Sequence, residues 1–142
     1  MGWFYGSGLF RCPWGFLGWQ PILVYGKDPY LARGLGARPD STHLNASDGD
    51  TKDSGHPCPK PNKFWDWLLE RCSPEKGEIV YEPFCGSGIT IVACERLGRK
   101  CRAIEISPAY CAVAIERFYQ MTGIEPMLLN GNEKADDTEH KE

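Results

Sequence analysis

The stretch "YEPFCGSGIT", residues 81–90, joins a short apolar run to a helix-like run. A strand, a glycine-rich turn and a helix in that order open a βαβ unit, which restricts the chain to folds built on a parallel sheet. "EIVY" (78–81) reads as a short buried strand, and "ITIVACERLG" reads as a helix that stops at Gly98. "CRAIEI" (101–106) reads as the second strand. Ser107 and Pro108 then supply an N-cap and a first helical position, and Tyr110, Val113, Ala114, Phe118 and Met121 form one apolar face behind them. "MLLN" (127–130) is a candidate third strand, so residues 78–130 read as β-α-β-α-(β), and the expected fold class is α/β.

Upstream of this unit, "NKFWDWLLERC" places Phe64, Trp67, Leu68 and Cys72 at helical spacing, with Trp65 and Leu69 widening the stripe. Pro74 and Gly77 stop it. "PILVYG" (21–26) reads as a strand. From Lys27 to Pro61 the sequence is rich in Gly, Ser, Asp and Pro and shows no sustained period, which marks a functional or disordered stretch. The tail "GNEKADDTEHKE" has the composition of disorder.

The glycine loop admits three ligands. A nucleoside triphosphate requires a Lys after the last Gly, and here Ile89 and Thr90 follow Gly88. A dinucleotide requires a third Gly where Ile91 stands, and a bulky residue there blocks the close approach that makes room for a pyrophosphate. S-adenosyl-L-methionine has a ribose and a charged amino acid but no phosphate. Glu82, at the start of the loop, suits its ammonium group. Glu105, 19 residues after Gly86, stands where a carboxylate meets a ribose in such folds. On this reading Gly86 and Gly88 let the backbone turn tightly and approach the ligand.

"EPFCGSGIT" resembles the D-P-F-x-G-S-G-T-T motif of site-specific DNA methyltransferases that modify exocyclic amines (adenine N6 or cytosine N4). The likeness runs through residues 56–118 and extends weakly to "WGFLGWQPILVYGKDP", which is similar to the last sheet strand of that family. It implies a partial Rossmann-like S-adenosyl-L-methionine-dependent methyltransferase fold. It also implies that "HPCPKP", with His56, Pro57, Lys60 and Pro61, wraps the methionine end of the cofactor. Around the loop it assigns cofactor contacts to Glu82, Pro83, Phe84, Cys85, Gly86, Ser87, Gly88 and Thr90, and on the next strand to Glu105 and Ile106. Glu82 in place of Asp and Ile89 in place of Thr depart from the motif without removing a backbone donor.

Amine methylation in this family also uses an (Asp/Asn/Ser)-Pro-Pro-(Tyr/Phe/Trp) loop, which accepts the amine's hydrogens and stacks on an extruded base. No two prolines are adjacent in this sequence; Asp28-Pro29-Tyr30 is the nearest imitation and reads as a turn closing a strand. No catalytic residue is therefore assigned. The resemblance implies a C-terminal part whose catalytic loop lies in an upstream segment or another chain. Three parts are expected: a last strand with a target-recognition-like region (1–55), a cofactor-binding half-domain (56–130) and an acidic tail (131–142). The alternatives are a non-catalytic cofactor-binding or DNA-recognition fragment, and a methyltransferase for RNA or a small molecule.

DNA is the expected partner, in a restriction–modification, phage or mobile-element setting. Residues 1–39 carry four basic groups and one acid, whereas 40–55 carry four acids and one base, so the chain's net charge of -3 hides a basic N-terminal segment. Lys27, Arg33 and Arg38 are the candidate phosphate contacts. The seven Cys show no C-x2-C pair and His56 with Cys58 is too sparse for zinc, so no metal is assigned. They read as reduced, mostly buried thiols of a cytoplasmic protein. Pro57-Cys58 has the order of a cytosine-C5 nucleophile but precedes the glycine loop with nothing nearby to activate it. No apolar run approaches the roughly 18 residues of a membrane span, and no signal peptide is recognisable.

Overall fold

The computed structural model describes residues 2–5, 10–12, 15–17, 19–37, 41–44 and 61–129, with side chains for 21–37 and 61–129. His56, Pro57, Lys60, Arg38, Cys58 and the tail from 130 onward lie outside the described residues. The N-terminal part carries β1 (Gly2–Tyr5), β2 (Phe10–Cys12), β3 (Gly15–Leu17), β4 (Trp19–Pro21), the single-turn α1 (Pro29–Ala32) and β5 (Ser41–Leu44). There β1 pairs antiparallel with β4 and parallel with β5, and β2 pairs with β3. The second part runs α2 (Asn62–Cys72), β6 (Ile79–Glu82), α3 (Ile89–Leu97), β7 (Lys100–Ala103) and α4 (Pro108–Thr122), with β6 and β7 parallel and Ile79 opposite Lys100.

The β-α-β-α order expected from 78 onward is present, and the differences lie at its edges. The strand expected over 21–26 is confined to β4: residues 22–26 form none, and the chain turns at Gly26 with φ 95°. Nor does that segment join the β6–β7 pair, since Trp19 and Gln20 face Phe4 and Trp3. The second strand is Lys100–Ala103 rather than 101–106, which leaves Glu105 and Ile106 in the turn beyond it. Residues 127–129 form no strand, and Met127 and Leu128 are exposed. Inside the stretch that showed no period, α1 and β5 form. Among the described cysteines only Cys94 is fully buried and Cys72 is exposed, so burial of the thiols is less general than expected.

Small residues set the spacing of the core. Ala93 and Cys94, both at 0% exposure, let α3 close onto Leu69 of α2, with Trp65, Val80, Leu97 and Cys101 packed around them. Phe64 anchors a second cluster with Ile22, Trp67 and Leu68, and meets Trp65 edge to face at 5.2 Å. The helix ends follow the sequence. Gly98 closes α3 in the left-handed conformation, and the Ser107 hydroxyl accepts the Tyr110 N–H at the start of α4. The Arg99 guanidinium donates to the Ser73 carbonyl at 2.5 Å, placing a cation at the negative end of α2.

Alternation along β6 points Val80 toward the helices and leaves Ile79 and Tyr81 66% and 64% exposed. Parallel strands are normally covered on both faces. The face carrying Ile79 and Tyr81 is thus apolar surface of the kind that further structure covers.

Asp28 caps α1 by accepting the Tyr30 N–H at 2.8 Å, and its carboxylate is gripped by both terminal nitrogens of Arg71, which also lies over the Tyr30 ring. The Tyr30 hydroxyl donates to the Glu70 carbonyl at 2.5 Å. Asp28-Pro29-Tyr30 is therefore the clamp that docks α1 on α2: it opens a helical turn rather than closing a strand over 21–26.

Two expectations follow for stability. Gly88 has φ 75°, and a Cβ there would stand 2.6 Å from the Ala114 Cβ; Gly98 has φ 70°, but its Cβ would meet Lys76 at an ordinary 3.5 Å. Backbone strain applies to both and overpacking only to the first. Gly88→Ala should lose about 2–4 kcal/mol in urea denaturation and Gly98→Ala about 1–2 kcal/mol. Equal losses would refute the packing account. The second expectation concerns acid. Hydrogen bonding from Arg71 lowers the Asp28 pKa to about 2 from 3.8. Because the folded value is the lower one, the stabilisation is complete above pH 3.8 and disappears as pH falls through about 2. The Tyr30 ring resonances should shift in that window, and Asp28→Asn should abolish the shift.

Candidate functional site

The loop from Pro83 to Gly88 sits between the C-terminal end of β6 and the N-terminus of α3. Parallel strand ends of this kind are where open α/β sheets bind ligands. Its backbone turns through two left-handed glycines, Gly86 at φ 53° and Gly88 at φ 75°. The sequence reading gave both glycines to ligand approach. At Gly88 the structure adds a steric reason: the missing side chain makes room for Ala114 of α4. No residue-type signal announces this contact, except that Ala114 is the small member of an otherwise bulky apolar face.

The two carboxylates singled out in the sequence are brought to the same loop, from the ends of the two paired strands. Glu82 accepts the Phe84 N–H at 3.0 Å on one oxygen and the Thr90 hydroxyl at 3.3 Å on the other. Glu105 accepts the Gly86 N–H at 2.8 Å on one oxygen and the Ser107 N–H at 2.8 Å on the other. Backbone bonds close the frame: Cys85 N–H to the Ile104 carbonyl at 3.1 Å, and Ile104 N–H to the Glu82 carbonyl at 2.9 Å. Each ionised carboxylate has about four lone-pair sites. Carboxylate oxygens of this kind are acceptors suited to ammonium or hydroxyl groups.

The remaining loop residues divide by exposure. Phe84 is 86% exposed and Ile106 95% exposed, one beside each carboxylate, so an apolar ring placed there would find apolar side chains. Ser87 and Thr90 are buried, at 4% and 2% exposure. Burial, then the charges of Glu105 and Glu82, push the Cys85 thiol up to about 11, which favours the neutral thiol over the nucleophilic thiolate. Pro61 starts α2, its carbonyl accepting the Phe64 N–H at 3.0 Å.

The phosphate-contact candidates fare unequally. Lys27 is exposed. Arg33 is bound to Glu75 at 3.2 Å and to Glu78 at 2.5 Å, so a phosphate there would have to displace two carboxylates. Hydrogen bonding from Ser73, followed by the Glu75 N–H and Arg33, lowers the Glu78 pKa, which keeps that ion pair charged. Among the described residues no helix is long and apolar enough to cross a membrane.

A family model described as DNA methylase (N6_N4_Mtase) matches residues 19–116, more than half of the chain. The chain is 38% identical over 65 residues to the type II methyltransferase M2.DpnII of Streptococcus pneumoniae, covering 44% of this chain and 23% of that protein. It is 37% identical over 62 residues to the type II methyltransferase M.HpaI of Haemophilus parainfluenzae, covering 44% of this chain and 19% of that protein. The aligned segments thus span about a fifth of these relatives' length. Two solved structures share the fold at a TM-score of 0.56. They are the cytosine-N4-specific PvuII DNA methyltransferase, at 21% identity over 94% of this chain and 51% of that one, and the M1.HpyAVI–SAM complex, at 19% identity over 82% of this chain and 59% of that one. The fold is accordingly the Rossmann-like one of these methyltransferases, and the family match running through the glycine loop and both carboxylates makes this chain a member of the N6/N4 DNA methylase family.

Proposed function

We propose that this chain is the S-adenosyl-L-methionine-binding part of a DNA methyltransferase acting on an exocyclic amine, adenine N6 or cytosine N4. The observation that carries the proposal is the pair of carboxylates, Glu82 and Glu105, anchored to one glycine loop at the ends of adjacent parallel strands. Glu82 accepts the ammonium of the cofactor's amino acid, and Glu105 accepts the ribose hydroxyls. Phe84 and Ile106 give the adenine apolar surface. The helix N-terminus behind Gly88 carries no Lys, so nothing there is suited to a triphosphate. When bound, the cofactor supplies an electrophilic methyl group on its sulfonium. The chain's own contribution is to hold and orient that group while the neutral Cys85 stays out of the reaction.

The amine-polarising loop comes from elsewhere. The sequence holds no Pro-Pro pair, and its best imitation at Asp28 is consumed by Arg71. The exposed face bearing Ile79 and Tyr81 gives a polypeptide with that loop an apolar surface to cover. DNA phosphates meet Lys27 and Arg38, with Arg33 a weaker candidate because of its ion pairs. His56, Pro57, Lys60 and Pro61 close over the methionine end.

Calorimetric titration should show affinity for S-adenosyl-L-methionine and its demethylated product, and none for ATP or NAD. The same preparation should transfer no methyl group to duplex DNA. A folded chain without affinity for S-adenosyl-L-methionine would refute the cofactor assignment, and robust methyl transfer would refute the missing-loop assignment. Glu105→Ala should weaken cofactor binding about 10–100-fold, the size of charge-assisted hydrogen bonds. Glu105→Gln, which keeps one acceptor oxygen, should cost less. Equal affinity in wild type and Glu105→Ala would remove Glu105 from the site.

A further inference from the structure

Thr90 is the second residue of α3 and only 2% exposed, so it is poorly placed to touch a cofactor itself. Its hydroxyl donates to Glu82 at 3.3 Å, across eight residues of sequence. Threonine in a helix commonly returns its hydroxyl to a carbonyl one turn back. Here the hydroxyl turns to the carboxylate at the mouth of the loop. Because the Phe84 N–H holds the other oxygen at 3.0 Å, Glu82 has a bond on each oxygen and a single orientation. The last torsion of a glutamate is otherwise broad, and freezing it on binding costs conformational entropy.

We propose that Thr90 is a positioning residue that presets the Glu82 carboxylate for the cationic amino-acid end of the cofactor. The proposal rests on the cofactor reading above and deepens it, by separating residues that touch the cofactor from one that acts through Glu82. It gives the buried hydroxyl a purpose that the packing of α3 alone does not, since valine would fill the same volume. It also makes a selective claim. Losing the hydroxyl should affect ligands with an ammonium group and spare those without one.

The test uses Thr90→Val, Thr90→Ser and Thr90→Ala in the full chain. Two ligands are titrated: S-adenosyl-L-methionine, and 5′-methylthioadenosine, which keeps adenine and ribose but lacks the amino acid. Thr90→Val should weaken S-adenosyl-L-methionine about 3–10-fold, the scale of one hydrogen bond, and change methylthioadenosine less than about twofold. Thr90→Ser, which restores the hydroxyl, should bind both as the wild type does. Amide exchange gives a readout that needs no ligand: the Phe84 N–H should exchange faster in Thr90→Val than in wild type or Thr90→Ser, because its acceptor has been released. Thr90→Ala removes the same hydroxyl from a good helix former and stands in if the valine variant fails to fold. Equal losses for both ligands, or an unchanged Phe84 amide, would overturn the positioning role. If the wild type binds no S-adenosyl-L-methionine yet the Phe84 amide still responds, the cofactor assignment fails while the hold of Thr90 on Glu82 stands.

Discussion

The glycine loop is fixed by the turn that follows the neighbouring strand. Glu105, beyond the end of β7, accepts the Gly86 N–H from the loop and the Ser107 N–H at the start of α4. One carboxylate thereby staples the loop, the second strand and the next helix. Gly88 adds a steric constraint, because α4 approaches so closely at Ala114 that no side chain fits between them. Glycine reaches φ of 53° and 75° without steric cost, and these two contacts, together with the Cys85–Ile104 and Phe84–Glu82 bonds, select that one conformation.

That constraint explains the polarity of the site. Backbone N–H groups at a helix N-terminus make an anion-binding surface by default. Here the loop leading into α3 already carries a carboxylate of the chain on its Gly86 N–H, two residues before the N-cap Gly88, and a second carboxylate lies across the loop on Glu82. The site therefore presents negative charge and acceptor oxygens, which suits a ligand with an ammonium and hydroxyls and disfavours a phosphate. The same two charges, together with burial, keep the Cys85 thiol protonated.

Among the described residues, α2 and α3 pack against one side of this frame. Trp65 and Leu69 of α2 and Ala93 and Cys94 of α3 build a dry layer against Val80 and Cys101. On the opposite face Ile79 and Tyr81 stay in solvent. The aligned segments span about a fifth of the curated relatives' length.

The sequence by itself determined the β-α-β-α order, the stop of α3 at Gly98, the N-cap at Ser107 and the two acidic positions 82 and 105. All of these depend on local chemistry: periodicity, left-handed glycine, capping, and residue spacing along one βαβ unit. The α2 helix was equally legible from its apolar spacing. What the sequence misplaced were the segments whose conformation depends on partners. Residues 22–26 and 127–129 are apolar enough for strands, yet a strand also needs a neighbouring strand to complete its ladder, which no local pattern specifies, and among the described residues neither segment is a strand. Only the tertiary structure brought Gly88 against Ala114, where no side chain fits. It alone tied Arg33 to Glu75 and Glu78, and joined the Thr90 hydroxyl to the Glu82 carboxylate. Each joins residues separated by 8 to 45 positions, and such contacts come from the packing of α3, α4 and the strand ends, which no local pattern encodes.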